Sequence, residues 1–200
     1  MGKRSRGAKH APPAAPKPER WTERAQGPGD LECAFAIREI AFIEEQSVAP
    51  EVERDAADTS AVHVLAYEHG HAVGTGRLVV LEGDALVGLA VGETETSGRW
   101  GRIGRVAVMG SSRRRGIGGL IVAALEDEAR RLGLEGLVVH AQTWLRELFV
   151  RQGYSVRGGE FQEAGMPHLE MVKHLTGSTG SEEGAPREPA RENGGAEAER

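Results

Sequence analysis

The apolar positions of this chain change period several times. "RWTERA" reads as a short strand, and "GPGD" then supplies a turn with Asp30 as a helix cap. From Leu31 to Gln46, "LECAFAIREIAFIEEQ" holds helix formers and no breaker, which predicts one long helix. "AVHVLAYE" and "HAVGTGRLVVL" read as strands of a hairpin joined at "HG". Residues 82–98 are rich in Gly and Thr; they are expected to form a loop in which only "ALVGLAV" has enough apolar character to pack as an extra turn or strand. "RWGRIGRVAVM" is the next strand. After it, Ile117, Leu120, Ile121, Ala124, Leu125, Ala129 and Leu132 recur at helical spacing, and Gly133 stops the helix. "LEGLVVHAQ" predicts a buried strand, "TWLRELFVRQ" a short helix from Thr143, and "GYSVRG" and "HLEMVKH" the closing strands. A hairpin followed by alternating strands and helices defines an α/β fold with a mixed sheet.

Composition sets the limits of this domain. Residues 1–18 carry five basic side chains, no acidic one and four prolines, whereas 176–200 carry six acids against three bases. Both segments lack the apolar side chains that would offset ordering entropy and are expected to be disordered tails. The domain between them, 19–175, has 17 basic and 24 acidic residues, a net charge of −7. That balance argues against nucleic acid as the main partner and favours cationic ligands. One cysteine, Cys33, leaves no internal disulfide and reads as a small core side chain. The basic start runs into "APPAAPKP" rather than an apolar signal core, and no run nears the roughly 18 apolar residues of a membrane span. A cytoplasmic protein is expected.

"SSRRRGIGG", Ser111–Gly119, lies where the fifth expected element, a strand, passes into the amphipathic helix. A helix start offers unpaired backbone N–H groups and the positive end of the dipole, so it attracts anions. Gly116, Gly118 and Gly119 allow close approach of a phosphate, and Arg113, Arg114 and Arg115 add charge at the rim. A diphosphate fits this description. The spacing is not that of a dinucleotide-binding fingerprint, whose third glycine would fall on Ile121, nor of a Walker loop, because Leu120 follows Gly119. The histidines show no paired spacing typical of zinc apart from His69 and His71, which flank a turn glycine, and no metal is inferred.

The pattern that fits is R-x-x-G-x-G, here Arg113, Gly116 and Gly118. With "VGTGRLVV", "IGRVAVM", "VVHAQ" and "FVRQGYSVRGGEFQEAGMPHLEM" in order over 19–175, the chain resembles the GNAT superfamily of acetyl-CoA-dependent N-acetyltransferases. "AFIEEQ" and "HAQ" make it most similar to the ElaA-like branch. The resemblance implies a mixed, mostly antiparallel sheet with splayed middle strands, flanked by helices. It further implies a pyrophosphate on Arg113–Gly119, Ile117 included, and a pantetheine arm along the backbone of Val106, Ala107 and Val108. The Val108 N–H would face the thioester carbonyl and stabilise its oxyanion. The implied reaction is direct attack of a primary amine, of a small molecule or a peptide, on acetyl-CoA; relatives often form homodimers.

Proton transfer then needs residues. Glu44 and Glu45 end the first long helix, which borders the acceptor pocket in this superfamily; each is either a catalytic base or part of a solvated helix end. His140 and Gln142 end a strand near the splay, where His140 is either a proton relay or a satisfied core histidine. His168 either touches substrate or caps the last strand. Many relatives protonate the thiolate with a tyrosine, but Phe149 stands at that position here and Tyr154 reads as a packing residue. The departure leaves a second reading, a catalytically weak acyl-CoA-binding sensor or structural protein. A nucleotide-binding module of another family would account for the loop but not for "HAQ" or the closing strand.

Overall fold

The computed structural model describes residues 18–82 and 98–175. The two tails, except Pro18, and the loop with its "ALVGLAV" segment, except its ends, lie outside the described residues. Seven strands form one sheet in the order β1-β2-β3-β4-β5-β7-β6. These are β1 (Arg20–Arg24), β2 (Val62–Glu68), β3 (His71–Leu81), β4 (Trp100–Val108), β5 (Gly136–Gln142), β6 (Ser155–Glu163) and β7 (Met166–His174). Every neighbouring pair is antiparallel except β4 and β5. The β2–β3 turn is His69–Gly70, with φ of 50° and 85°, as a tight hairpin requires.

Helix α1 (Pro28–Arg38) lies on one face of the sheet. Proline at its first position is preorganised for a helix, so Gly27 rather than Asp30 is the cap; Asp30 instead accepts from the Gln26 N–H at 2.9 Å. The expected single helix also changes character, because Glu39–Glu44 form a π-helical turn in which Glu45 N–H bonds Ile40 O at 3.1 Å. The Gln46 side chain returns to the carbonyl of Ala41 at 2.8 Å, satisfying an acceptor near the end of the widened turn. Short α2 (Pro50–Glu53) and a 3₁₀ turn at Ala56–Thr59 follow.

The opposite face carries α3 (Ile117–Arg131) and α4 (Arg146–Arg151). Ile117, Ile121, Leu125 and Ala129 of the predicted stripe are buried and Val122 joins them, whereas Leu120, expected in the stripe, is exposed. Two glycines set how closely α3 approaches. A Cβ at Gly76 would lie 2.6 Å from an Ile121 methyl, and one at Gly74 2.9 Å from another. The helix therefore sits directly on the β3 backbone.

Where the sheet opens is decided by β4 and β5. They pair only from Trp100↔Gly136 to Ile103↔Val139, and beyond that point β5 continues with β7 while β4 stays with β3. A bulge sets Arg105 and Val106 against Gly76, and Arg105 adopts φ 53°. Bulges bend and twist the strand that holds them, which turns β4 away from β5. The middle strands are splayed, as the resemblance implies.

Candidate active site

Met109 N–H bonds Val73 O at 2.8 Å, so Met109 faces β3, and alternation turns the Val108 N–H and the Val106 carbonyl toward the β4–β5 gap. The gap opens into a cleft of about 280 Å³. Arg102, Gly104 and Val106 of β4 line one side, and His140, Ala141 and Gln142 of β5 the other. Phe42, Val48 and Val52 approach from the π-turn and α2, while Glu163, Met166 and His168 come from the β6–β7 hairpin. Phe149 sits at the base, 2% exposed.

At one end of the gap lies the arginine-rich loop. Gly116 caps α3 with φ 85° and no side chain occupies that cap. The first bond into the helix is Leu120 N–H to Gly116 O at 3.2 Å, which leaves the N–H groups of Ile117, Gly118 and Gly119 without a helical partner. A Cβ at Gly118 would meet nothing nearer than a Leu148 methyl at 3.6 Å, whereas one at Gly119 would press on the Gln152 side chain at 3.1 Å. Arg113 donates to the Val108 carbonyl at 2.8 Å and pairs with Glu45. Arg115 pairs with the buried Glu68 at 3.0 Å, which also accepts from Ser112 and Arg20. Arg114 is exposed with φ 61°. The structure therefore brings Glu45 to the anion loop instead of the cleft; Glu44 is exposed at the end of the π-turn and is absent from the cleft wall.

At the other end, His140 Nδ1 lies 2.7 Å from Glu163 and Nε2 lies 3.5 Å from Glu170, which is itself held by Arg157. The hydrogen bond with His140 holds the Glu163 carboxyl below its ordinary range despite partial burial, helped by the charges of His140, His168 and Arg102. His140 is thus a cleft residue rather than a core histidine. Gln142 donates to Gln46 at 2.8 Å and reaches the Met166 sulfur at 3.4 Å, tying β5 to the end of the π-turn. His168 is buried, with Nδ1 2.9 Å from the Met166 carbonyl, and lines the cleft as well as closing the hairpin.

A buried charge network with no counterpart in the hydrophobic pattern walls the cleft beside α2. Arg38, fully buried, pairs with Glu53 and spans both oxygens of Asp58 at 2.7 and 3.0 Å. Arg77 joins Asp58 to Asp55 with contacts of 2.7 Å to each. Arg105 donates to the Glu53 and Val52 carbonyls, both at 2.8 Å, which offsets the left-handed backbone of its bulge. Burial alone would raise the Asp58 carboxyl, but hydrogen bonds and charge from Arg38 and Arg77 outweigh it and hold it far below its usual range. His63, on the Asp58 carbonyl at 3.0 Å, is pushed down chiefly by burial. The signal in the sequence was "APEVERDAADTS", whose acids are too dense and too near a proline-started turn to read as mere linker.

Both tyrosines of the chain lie away from the cleft wall. Tyr67 stacks on Trp21 at 5.1 Å. Tyr154 is buried edge-on to Phe149 at 5.5 Å, and burial first, then the Glu126 charge, raises its hydroxyl. Exposed Glu19 and His69 come together with buried Glu68, but both Glu68 oxygens already accept from Arg20, Ser112 and Arg115.

The splayed β4–β5 pair, with a glycine-capped helix at its mouth, defines an acyltransferase of the GNAT type. A family model described as Acetyltransferase (GNAT) domain matches residues 39–175, and the chain belongs to this family, which uses acyl-CoA as cosubstrate. It is similar to the uncharacterized N-acetyltransferase YjcF of Bacillus subtilis (strain 168), at 33% identity over 150 residues, 74% of this chain and 96% of YjcF. In fold it is similar to an acyl-CoA N-acyltransferase from Pseudomonas aeruginosa (TM-score 0.59, 22% identity, 77% of this chain and 97% of that one). It also superposes on Escherichia coli ElaA (TM-score 0.61, 20% identity, 77% of this chain and 99% of that one).

Proposed function

We propose that this acyltransferase moves the acetyl group of acetyl-CoA to a primary amine by direct attack. The observation that supports it is the gap itself: by alternation the Val108 N–H of β4 turns toward it, and the His140–Glu163 pair lies on its β5 side. In this reading the free N–H groups of Ile117 to Gly119 and the arginines of the loop hold the pyrophosphate, and the Val106 carbonyl and Val108 N–H pair with the pantetheine arm. Glu163 accepts from His140 Nδ1–H and orients the ring, leaving Nε2 to take a proton from the incoming ammonium. The neutral amine forms its C–N bond at the thioester carbon, and the Val108 N–H stabilises the negative charge that develops on the oxygen. As the C–S bond breaks, coenzyme A leaves as thiolate and the nitrogen of the new amide gives up its second proton to water; with Phe149 in the cleft and both tyrosines outside it, water also supplies the thiol proton.

The test is acetyl-CoA binding by calorimetry, with ATP as control, and free-thiol release against primary amines in the same preparation. Binding with amine-dependent release is the expected result. Binding with no release from any amine favours the sensor reading, which Phe149 already supports, and no binding removes both.

A further inference from the structure

Three arginines of the cleft differ in one respect. The terminal nitrogens of Arg77 are held by Asp55 and Asp58, although its Nε is buried without a partner, and Arg105 is held by Asp55 and by backbone carbonyls. Arg102, on β4, makes no hydrogen bond or ion pair among the described residues, and its Nε is buried without a partner; its interaction is a longer-range attraction on Glu163. A guanidinium half-withdrawn from water and left unpaired is costly unless an anion meets it.

Register fixes where that anion would lie. Arg102 pairs with Val138 across the parallel ladder, so the two share a face of the sheet, and His140 is the next residue of β5 on that face. The step from Val138 to His140 is about 7 Å. An anion held by Arg102 and an amine presented to His140 would therefore lie on one face of the sheet, within reach of a single small acceptor that carries both groups. Three carboxylates, Glu53, Asp55 and Glu163, also line the cleft and disfavour a dianion, so a planar monoanion matches best. Val48, Val79, Leu145 and Met166 supply apolar wall for a remaining side chain.

From this geometry we infer that the acceptor is an α-amino acid with an apolar side chain, its carboxylate held by Arg102 and its amine presented to His140. The inference rests on the acetyltransferase reading and names the substrate class for the same cleft.

Matched pairs test it: L-leucine, L-methionine and L-phenylalanine against 3-methylbutylamine, 3-(methylthio)propylamine and 2-phenylethylamine, which lack only the carboxylate. Thiol release is measured for each, and calorimetry follows binding of each amino acid to the protein loaded with coenzyme A. At least one amino acid is expected to exceed its decarboxylated partner tenfold or more in kcat/KM. Arg102→Gln should abolish that preference mainly through KM, and Arg102→Lys should restore part of it; because Arg102 makes no hydrogen bond or ion pair among the described residues, unchanged thermal unfolding of both variants checks the fold. Release that is equal or faster with the plain amines overturns the inference and leaves the acetyltransferase intact. Failure of all three amino acids both to bind and to react also overturns it, whereas loss of acetyl-CoA binding itself condemns the underlying reading.

Discussion

At the residue scale, the ion pair between Arg113 and Glu45 changes what Glu45 is for. Its carboxylate neutralises an arginine of the glycine-rich loop, so a diphosphate bound as proposed would have to displace it to gain that arginine. Glu45→Gln is expected to tighten acetyl-CoA binding by a few fold, with kcat unchanged, read by calorimetry and steady-state kinetics; a fall in kcat at constant affinity would return Glu45 to the chemistry. The acids at 44 and 45 and the histidine at 140 were all visible in the sequence as candidates, but their partners were not. Glu163 lies 23 residues from His140, and Arg113 lies 68 from Glu45. No local period links such pairs, and only the folded sheet brings them within a hydrogen bond.

At the element scale, the strands and α3 were legible because burial imposes periods of 2 and 3.6 on apolar side chains. The π-turn after Arg38 was not, since its residues favour an ordinary helix and the widening is set by what they pack against. α2 was missed for a related reason: four residues are too few to show a period. The loop into α3 permits a clean perturbation. Gly118 has an unexceptional backbone and room for a methyl, so Gly118→Ala should leave the unfolding transition in place. A methyl placed among the N–H groups proposed to receive the pyrophosphate should nevertheless weaken acetyl-CoA binding about tenfold, a loss of about 1.4 kcal/mol by calorimetry. Retained affinity would put the phosphates elsewhere.

At the scale of the whole molecule, the Arg38–Glu53–Asp58–Arg77 network joins α1, α2, the 3₁₀ turn and β3. Its stability contribution depends on pH with a definite sign. Asp58 is held below its unfolded value of about 3.9, so its contribution is complete above that value and is lost as pH falls toward the folded one. His63, depressed by burial, acts in the same direction, beginning as pH falls below about 6.5. Urea unfolding from pH 7 to pH 3 should show stability declining on acidification. Asp58→Asn should cost about 3 kcal/mol at pH 7 by leaving two buried arginines short of a partner, and the gap between its curve and the wild type should narrow, without closing, as pH falls from about 5 to about 3. Parallel curves would mean that the carboxylate is not the acid-sensitive element.

The four-residue parallel ladder between β4 and β5 leaves two backbone edges facing each other without a strand between them. On the proposed reading, a pantetheine arm filling this space would take the place of a missing length of sheet, which would make the cosubstrate in part a folding element. Its arrival should be legible far from any chemistry, as slowed amide exchange along both exposed edges and a higher melting temperature that tracks its concentration.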